Sequence, residues 1–159
     1  MQVSYGYGLF TGGLGVHYGG ETAGCAVIPA SSGNTKRQIQ MLKDMDVDVL
    51  CCTPSYALLI ADTCIEMGMN PATDLKLHAG IFGAEPCSQG MREEIAEKLG
   101  IQYCDVYGLS EVMGPGVAFE CKEMSGLHLA EDHFFAEIID PQRFSRFPTA
   151  STASWCSPR

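Results

Sequence analysis

Extended and helical patterns alternate along most of this 159-residue chain, and the alternation constrains its fold more than any other feature. Residues 47–52 form an apolar run typical of a buried strand, and residues 54–67 are a predicted helix with proline at its first position. Residues 75–82 and 91–99 repeat this strand and helix order. Because such repeats form parallel sheets covered by helices, the predicted fold class is α/β, with a layered, mainly parallel sheet flanked by helices.

The same patterns and a few capping residues predict the remaining elements of this region. Residues 14–23 are a predicted helix packed by small residues, residues 25–28 a predicted strand, and residues 34–45 a predicted helix with apolar side chains at helical spacing. Ser88 is the expected cap before the helix at residues 91–99, and Gly100 is its expected end.

The composition excludes several classes of protein. With 46% apolar and 18% charged residues, the chain has the balance of an ordinary globular protein and not of a disordered one. A net charge of −9 argues against binding to a phosphate backbone, so no nucleic-acid partner is predicted. The apolar runs are too short to span a bilayer, and no signal-peptide pattern is visible, so no membrane partner is predicted and the expected localisation is cytoplasmic. The eight cysteines are accordingly expected to be reduced.

The segment at residues 105–111, D-V-Y-G-L-S-E, places a hydroxyl and a carboxylate after the predicted strand at residues 101–104. Gly108 is expected to supply a tight bend there. Open α/β sheets bind ligands at the carboxyl ends of their strands, where Ser110 could donate to a phosphoryl oxygen and Glu111 could hold Mg²⁺. For one heptapeptide alone, a strand end with ordinary polar residues is the stronger interpretation.

Two further segments favour the interpretation of residues 105–111 as part of a binding site. Residues 5–13, Y-G-Y-G-L-F-T-G-G, interleave aromatic residues with glycines, and residues 83–86, G-A-E-P, follow the apolar strand at residues 79–82. In this order and spacing, the three segments resemble the phenylacetate–CoA ligase family of adenylate-forming acyl–CoA ligases, from the first residues to about Pro141. The resemblance implies that residues 1–142 are part of the N-terminal adenylation domain of such an enzyme.

The resemblance also implies an activity in phenylacetate catabolism. The family activates phenylacetate or a similar aryl acid with ATP to an acyl-adenylate and transfers the acyl group to coenzyme A. The implied cofactors are ATP, Mg²⁺ and coenzyme A, and the implied partners are these small molecules, with a homodimer allowed for the intact enzyme. Joining two anions requires a metal ion and preorganised donors around the phosphoryl group.

The resemblance assigns roles to individual residues. Ser110 and Glu111 are the expected catalytic residues, Ser110 beside the α-phosphate and Glu111 as the Mg²⁺ ligand. The residues expected to bind the nucleotide come from the second and third segments and are Gly83, Ala84, Glu85, Pro86, Asp105, Tyr107 and Gly108. The residues expected to line the aryl pocket come from the first segment and from the chain beyond residue 111, and are Tyr5, Phe10, Met113, Gly114 and Pro115. For Tyr107, core packing is the weaker alternative. For each aryl-pocket residue taken alone, the alternative interpretation, a glycine-broken turn with aromatic residues in the core, is nearly as strong as a role in the pocket.

The interpretation of Cys121 and His128 as metal ligands is weaker than the alternative that they are solvated loop residues. Both residue types bind zinc, but a structural zinc site needs four ligands. Some family members have a Cys-x-Cys further along the chain that could complete the site, and these 159 residues contain none. Solvated loop residues are therefore the favoured interpretation, with a zinc half-site as the alternative. His17 and His78 are expected to be structural.

The chain beyond residue 142 breaks the family pattern. A last strand is predicted at residues 134–139, but residues 143–159 have no periodicity, whereas the family continues with a segment similar to V-L-P-x-G-E-x-G-E-L-V-F. Reading the tail two bases later, with CGG for Arg143 and AGY codons for Ser151 and Ser154, permits V-L-P-F-P-D-G-E-Y-G-E-L-V-F-T. Residues 143–159 are therefore interpreted as an unstructured frameshift product.

The sequence leaves two classes of function open. The family's phosphate loop, its ribose-binding Asp, its hinge and the C-terminal domain with the adenylating Lys are not among these 159 residues, so this chain alone is expected to be inactive. The alternative is a standalone nucleotide-binding or protein-interaction module without catalysis. The coding sequence around codon 142 and before Met1 would separate the two. A Rossmann oxidoreductase is disfavoured, because no G-x-G-x-x-G follows a strand.

Overall fold

A computed structural model describes residues 1–139 of the chain. The tail interpreted as a frameshift product and the domain boundary predicted at residue 142 lie outside the described residues. In chain order the elements are β1 Gln2–Val3, α1 Thr11–Thr22, β2 Ile28–Pro29, α2 Thr35–Asp44, β3 Val49–Cys52, α3 Pro54–Glu66, α4 Pro71–Asp74, β4 Ala79–Gly83, α5 Gln89–Leu99, β5 Gln102–Leu109, a 3₁₀ turn Ser110–Val112, β6 Gly114–Glu120 and β7 Leu127–Leu129.

These strands form one sheet in the order β2-β1-β3-β4-β5-β6-β7. Strands β1 to β5 run parallel to one another, whereas β6 pairs antiparallel with β5 and with β7. Strand β1 is only two residues long, yet it pairs with both β2 and β3 and so lies inside the sheet. The predicted fold class, an α/β fold with a mainly parallel sheet flanked by helices, is confirmed.

Local capping signals determine the boundaries of the longer helices. The side chains of Asn34, Thr53 and Ser88 each accept a hydrogen bond from the backbone N–H three residues further on, at the start of α2, α3 and α5. Pro54 occupies the first turn of α3, where its missing N–H costs nothing. Gly100 ends α5 in the left-handed region, with φ of 66°. These three helices agree with the prediction to within two residues.

The sheet has a helix layer on each face. Helices α2, α3 and α5 cover one face over a core whose fully buried members include Ile39, Leu50, Ile60, Phe82 and Ile95. Helix α1 lies on the other face, over a smaller core of Val3, Tyr5 and Cys51. Burial on both faces holds the parallel strands in register, and this register fixes where their carboxyl ends lie.

Several predicted strand boundaries are wrong. The strand predicted at residues 25–28 is reduced to β2, and the one predicted at residues 75–82 begins only at Ala79. Within the described residues, the strand predicted at residues 134–139 is absent from residues 134–138, and Ile139 makes an isolated bridge. The length of a strand depends on which neighbouring strand offers backbone groups for hydrogen bonds. The periodicity of apolar residues in the sequence carries no information about that neighbour. Within residues 1–139, no helix has the length and apolar character needed to cross a membrane.

Candidate functional site

The candidate site lies where the parallel strands end. Because β1, β4 and β5 run in the same direction, the segments that follow them leave the same edge of the sheet. Residues 4–10 follow β1, and residues 84–87 follow β4. Strand β5 continues past Val106, the last residue that it pairs with β4. The three sequence segments are therefore neighbours in space although they are far apart in the chain.

Residues 105–109 of the third segment lie within a strand, and the prediction of a bend at Gly108 is wrong. Strand β5 runs to Leu109, and past Val106 it pairs only with the antiparallel β6, with a register shift between Tyr107 and Gly108. A Cβ built at Gly108 would overlap the carbonyl oxygen of Gly114 on β6. Glycine is therefore required by the close approach of two strands at an irregular pairing, and not by a turn.

A pocket of about 150 Å³ opens at this edge and is called here the aromatic pocket. Its lining includes Tyr5, Phe10, Gly83, Ser110, Gly114 and Pro115. The rings of Tyr5 and Phe10 lie 5.9 Å apart between centroids, tilted by 50°. The Tyr5 hydroxyl donates to the carbonyl oxygen of Cys52 at 2.6 Å, and burial raises the pKa of Tyr5, so this hydroxyl keeps its proton. Tyr5 is thus a fixed wall of the pocket.

Ser110 and Glu111 occupy the 3₁₀ turn that follows β5. The Ser110 hydroxyl lines the aromatic pocket and lies 2.8 Å from the hydroxyl of Thr11, a residue that the sequence analysis did not single out. Glu111 is exposed beside it and is not part of the pocket lining. Met113 ends the turn with φ of 82° and is 76% exposed, so the structure places it outside the pocket that Gly114 and Pro115 line.

A second cavity of about 300 Å³ adjoins the aromatic pocket and is called here the β4–β5 cleft. Six of the seven residues predicted to bind the nucleotide line it, namely Ala84, Glu85, Pro86, Asp105, Tyr107 and Gly108. The seventh, Gly83, lines the aromatic pocket instead. Ala84 adopts a left-handed φ of 70°, a strained conformation for a residue with a side chain. Ala84, Val106 and Gly108 border both cavities, so the two form a continuous surface.

An ion-pair network supports the cleft from beneath. The buried carboxylate of Glu120 on β6 bonds the guanidinium of Arg92 on α5 and accepts a hydrogen bond of 3.1 Å from the backbone N–H of Asp105. Arg92 also lies 4.0 Å from the Asp105 carboxylate and 4.6 Å from the ring centroid of Tyr103. Burial raises the pKa of Asp105, and the Arg92 charge opposes that shift. No local pattern in the sequence indicates this network, because its members come from distant elements.

Cys121 and His128 line a shallow cavity together near the start of β7. Among residues 1–139, no group of three or more His, Cys, Asp or Glu side chains could hold a metal ion. A zinc site at Cys121 and His128 therefore finds no further ligand in that part of the chain. Glu111 likewise belongs to no such group within these residues.

Known proteins resemble the chain closely in sequence. No protein-family model matches the chain. Over 142 residues, or 89% of the chain, it is 56% identical to phenylacetate-coenzyme A ligase of Pseudomonas putida. Over the same length it is 51% identical to phenylacetate-coenzyme A ligase of Escherichia coli K12. By its sequence, the chain belongs to the phenylacetate–CoA ligase family. It spans about a third of these relatives, 32% of each.

A solved structure supports the same assignment for the fold. The present chain matches the crystal structure of 2-hydroxyisobutyryl-CoA ligase in complex with 2-HIB-AMP and CoA with a TM-score of 0.86 and 25% identity. The match covers 92% of this chain and 35% of that chain. The described residues therefore have the fold of the corresponding part of an acyl-CoA ligase.

Proposed function

We propose that the chain forms the aryl-binding and nucleotide-binding edge of a phenylacetate–CoA ligase. Such an enzyme activates phenylacetate or a similar aryl acid with ATP and transfers the acyl group to coenzyme A. One observation carries the proposal: the aromatic pocket and the β4–β5 cleft adjoin and share Ala84, Val106 and Gly108. Two adjoining cavities of this kind suit an acyl-adenylate, in which an aryl group and an adenosine are joined through one phosphate.

The aromatic pocket suits the ring of the acid. Tyr5 and Phe10 present tilted rings, and Gly114 and Pro115 offer backbone and apolar surface from β6. Offset and edge contacts between rings add to the gain from burying apolar area. We therefore assign the aryl group to this pocket.

The β4–β5 cleft suits the base. Tyr107 lines the cleft and is 41% exposed as a residue, and aromatic side chains of this kind stack on bases. The Glu85 carboxylate accepts a hydrogen bond from the backbone N–H of Ser55, which ties the segment after β4 to the start of α3. Residues 84–86 then present backbone groups to the base from a fixed position.

The polar part of the aromatic pocket suits the phosphoryl group. The paired hydroxyls of Thr11 and Ser110 line that pocket and can donate to an anionic oxygen. We assign Glu111, on the same turn, to Mg²⁺, an ion that offsets the repulsion between a carboxylate and the phosphates of ATP. Zinc at Cys121 and His128 would need two further ligands from outside residues 1–139, so it forms no part of this proposal.

Turnover and binding by the 159-residue chain test the proposal together. The phosphate loop and adenylating Lys that the resemblance implies are not among these residues, so we expect no phenylacetate-dependent release of pyrophosphate from ATP and Mg²⁺. We expect AMP and phenylacetate to bind, each measured by titration of backbone amide signals. Turnover above a no-enzyme control contradicts the assignment of the chain as one edge of a larger site. Absence of binding by both ligands contradicts the site itself.

A further inference from the structure

The segment at residues 6–10 leads into the proposed site and packs against the start of α1, where the Gly6 carbonyl oxygen lies beside Gly13 and the Phe10 ring beside Gly12. Leu9 is fully exposed and Phe10 is 40% exposed. Among the described residues, no atom lies within 4 Å of a Cβ built at Gly6 or Gly8. The segment nevertheless carries the Phe10 wall of the aromatic pocket and leads directly to Thr11. Its conformation must therefore depend on a small number of contacts.

One such contact joins the segment to α1 through His17. The Tyr7 hydroxyl lies 3.0 Å from Nδ1 of His17, and the two rings meet edge-on, with centroids 5.7 Å apart and planes at 86°. On its other side, Nε2 of His17 lies 3.4 Å from the carboxylate of Glu21, one helical turn further on. Tyr7, His17 and Glu21 therefore form a continuous chain of polar contacts.

The chemistry of the three groups determines where the protons lie. The Tyr7 hydroxyl can either donate to Nδ1 of His17 or accept from it. The carboxylate of Glu21 can only accept, and it faces Nε2 of His17, so it favours the neutral tautomer with its proton on Nε2. In that tautomer Nδ1 is the acceptor and the Tyr7 hydroxyl is the donor. A histidine that the sequence marked only as structural is held in one orientation.

We propose that His17 is a positioning residue for the aryl site, which holds Tyr7 and thereby fixes the segment that carries Phe10 and Thr11. Neither Tyr7 nor His17 lines the aromatic pocket, so the effect on a ligand is indirect. The part of the proposal that concerns the ligand rests on the proposed function. The part that concerns the position of residues 7–10 does not.

The first test measures the segment without a ligand, by amide hydrogen exchange in the full chain. We expect His17→Phe, which keeps a ring of similar size, to raise exchange at residues 7–10 about fivefold or more, since one hydrogen bond is lost. His17→Asn keeps an acceptor near the Nδ1 position and should have a smaller effect. Tyr7→Phe is a milder variant of the same contact, and combining it with His17→Phe should add little. His78→Asn is the control, because His78 is exposed and far from the segment.

Two spectroscopic and binding measurements complete the test. Long-range ¹H–¹⁵N spectra should show His17 protonated at Nε2, with a change in its Nδ1 signal in Tyr7→Phe and none in His78→Asn. Phenylacetate should bind His17→Phe about fivefold more weakly than the wild-type chain.

Each alternative result decides one point. Unchanged exchange at residues 7–10, or a proton found on Nδ1, overturns the positioning role. Altered exchange with unchanged phenylacetate affinity overturns the link to the aryl site. If the wild-type chain binds no phenylacetate while residues 7–10 respond as expected, the proposed function fails and the support of the segment by His17 stands.

Discussion

The hydroxyl of Thr11, in the first turn of α1, lies 2.8 Å from the hydroxyl of Ser110, although 99 residues separate them in the chain. The contact joins the exit of the aromatic-glycine segment to the turn after β5. Whichever hydroxyl donates, the other keeps an O–H that it can offer to a ligand oxygen. The pair therefore forms part of the lining of the aromatic pocket and at the same time supplies a donor to it.

A double-mutant cycle on this pair should show coupling. Thr11→Val and Ser110→Ala each remove one partner, so the double variant should lose less than the sum of the single losses, by about 0.5 to 1 kcal/mol. The free energy of unfolding in urea is the measurement. Ser125 is exposed and distant from the pair, so the losses from Ser125→Ala and Thr11→Val should add when the two are combined. Additivity for Thr11 and Ser110 as well would mean that the contact has no energetic weight.

Glu120 should matter more for stability than other acidic residues in ion pairs. Its side chain is only 2% exposed, and it bonds both the Arg92 guanidinium and the Asp105 N–H. Replacing it with Ala leaves a half-buried cation and a backbone donor without that partner, which should lower the free energy of unfolding by about 2 kcal/mol. Glu94→Ala is the matched control, since Glu94 pairs with Lys98 at the surface and should cost much less. Equal losses in the two variants would contradict the assigned role of Glu120.

The helices could be predicted from the sequence because their signals are local. Ser88, Gly100 and Pro54 act on the turn in which they stand, so α3 and α5 follow from a few residues each. Strand β1 could not be predicted, since two residues have no periodicity and their place in the sheet depends on β2 and β3. The extension of β5 to Leu109 was missed for the same reason, because it depends on the antiparallel β6.

The candidate site could likewise be predicted only in part from the sequence. That Tyr5, Gly83 and Ser110 line one pocket follows from the parallel order of the strands before them, and the sequence contains that order. The partners of these residues could not be predicted. Thr11 contacts Ser110, and Tyr7 contacts His17, only because α1 packs on the face of the sheet beside these segments.

Asp105 should make stability depend on pH in a defined direction. Burial raises its pKa above the ordinary value of 3.8, and Arg92 offsets part of that rise. As pH rises past the ordinary value, the unfolded chain loses this proton first while the folded chain still holds it, so stability falls across that window. The Asp105→Asn variant has no carboxyl group at this position to titrate. Its free energy of unfolding, relative to that of the wild-type chain, should therefore increase between about pH 4 and about pH 7. Urea unfolding at both pH values is the measurement, and a difference that stays constant or decreases would contradict the assignment.

Tyr107 should contribute to nucleotide binding through its ring. If adenine stacks on its exposed face, Tyr107→Ala should weaken AMP binding by about tenfold, whereas Tyr107→Phe should retain most of the affinity. Cys121→Ala serves as the control, because Cys121 lies outside the β4–β5 cleft. Titration of backbone amide signals with AMP measures all three variants. An equal loss in Tyr107→Phe would show that the hydroxyl, and not the ring, makes the contact.

The proposed function requires that the aromatic pocket and the β4–β5 cleft are two halves of one site. Calorimetric titration of the chain with a non-hydrolysable phenylacetyl-adenylate analogue tests this claim most directly. Because one molecule would fill both cavities, it should bind at least about tenfold more tightly than AMP, and Phe10→Ala and Tyr107→Ala should each weaken it by about tenfold. An analogue that binds no more tightly than AMP, with an affinity that Phe10→Ala leaves unchanged, would contradict the claim.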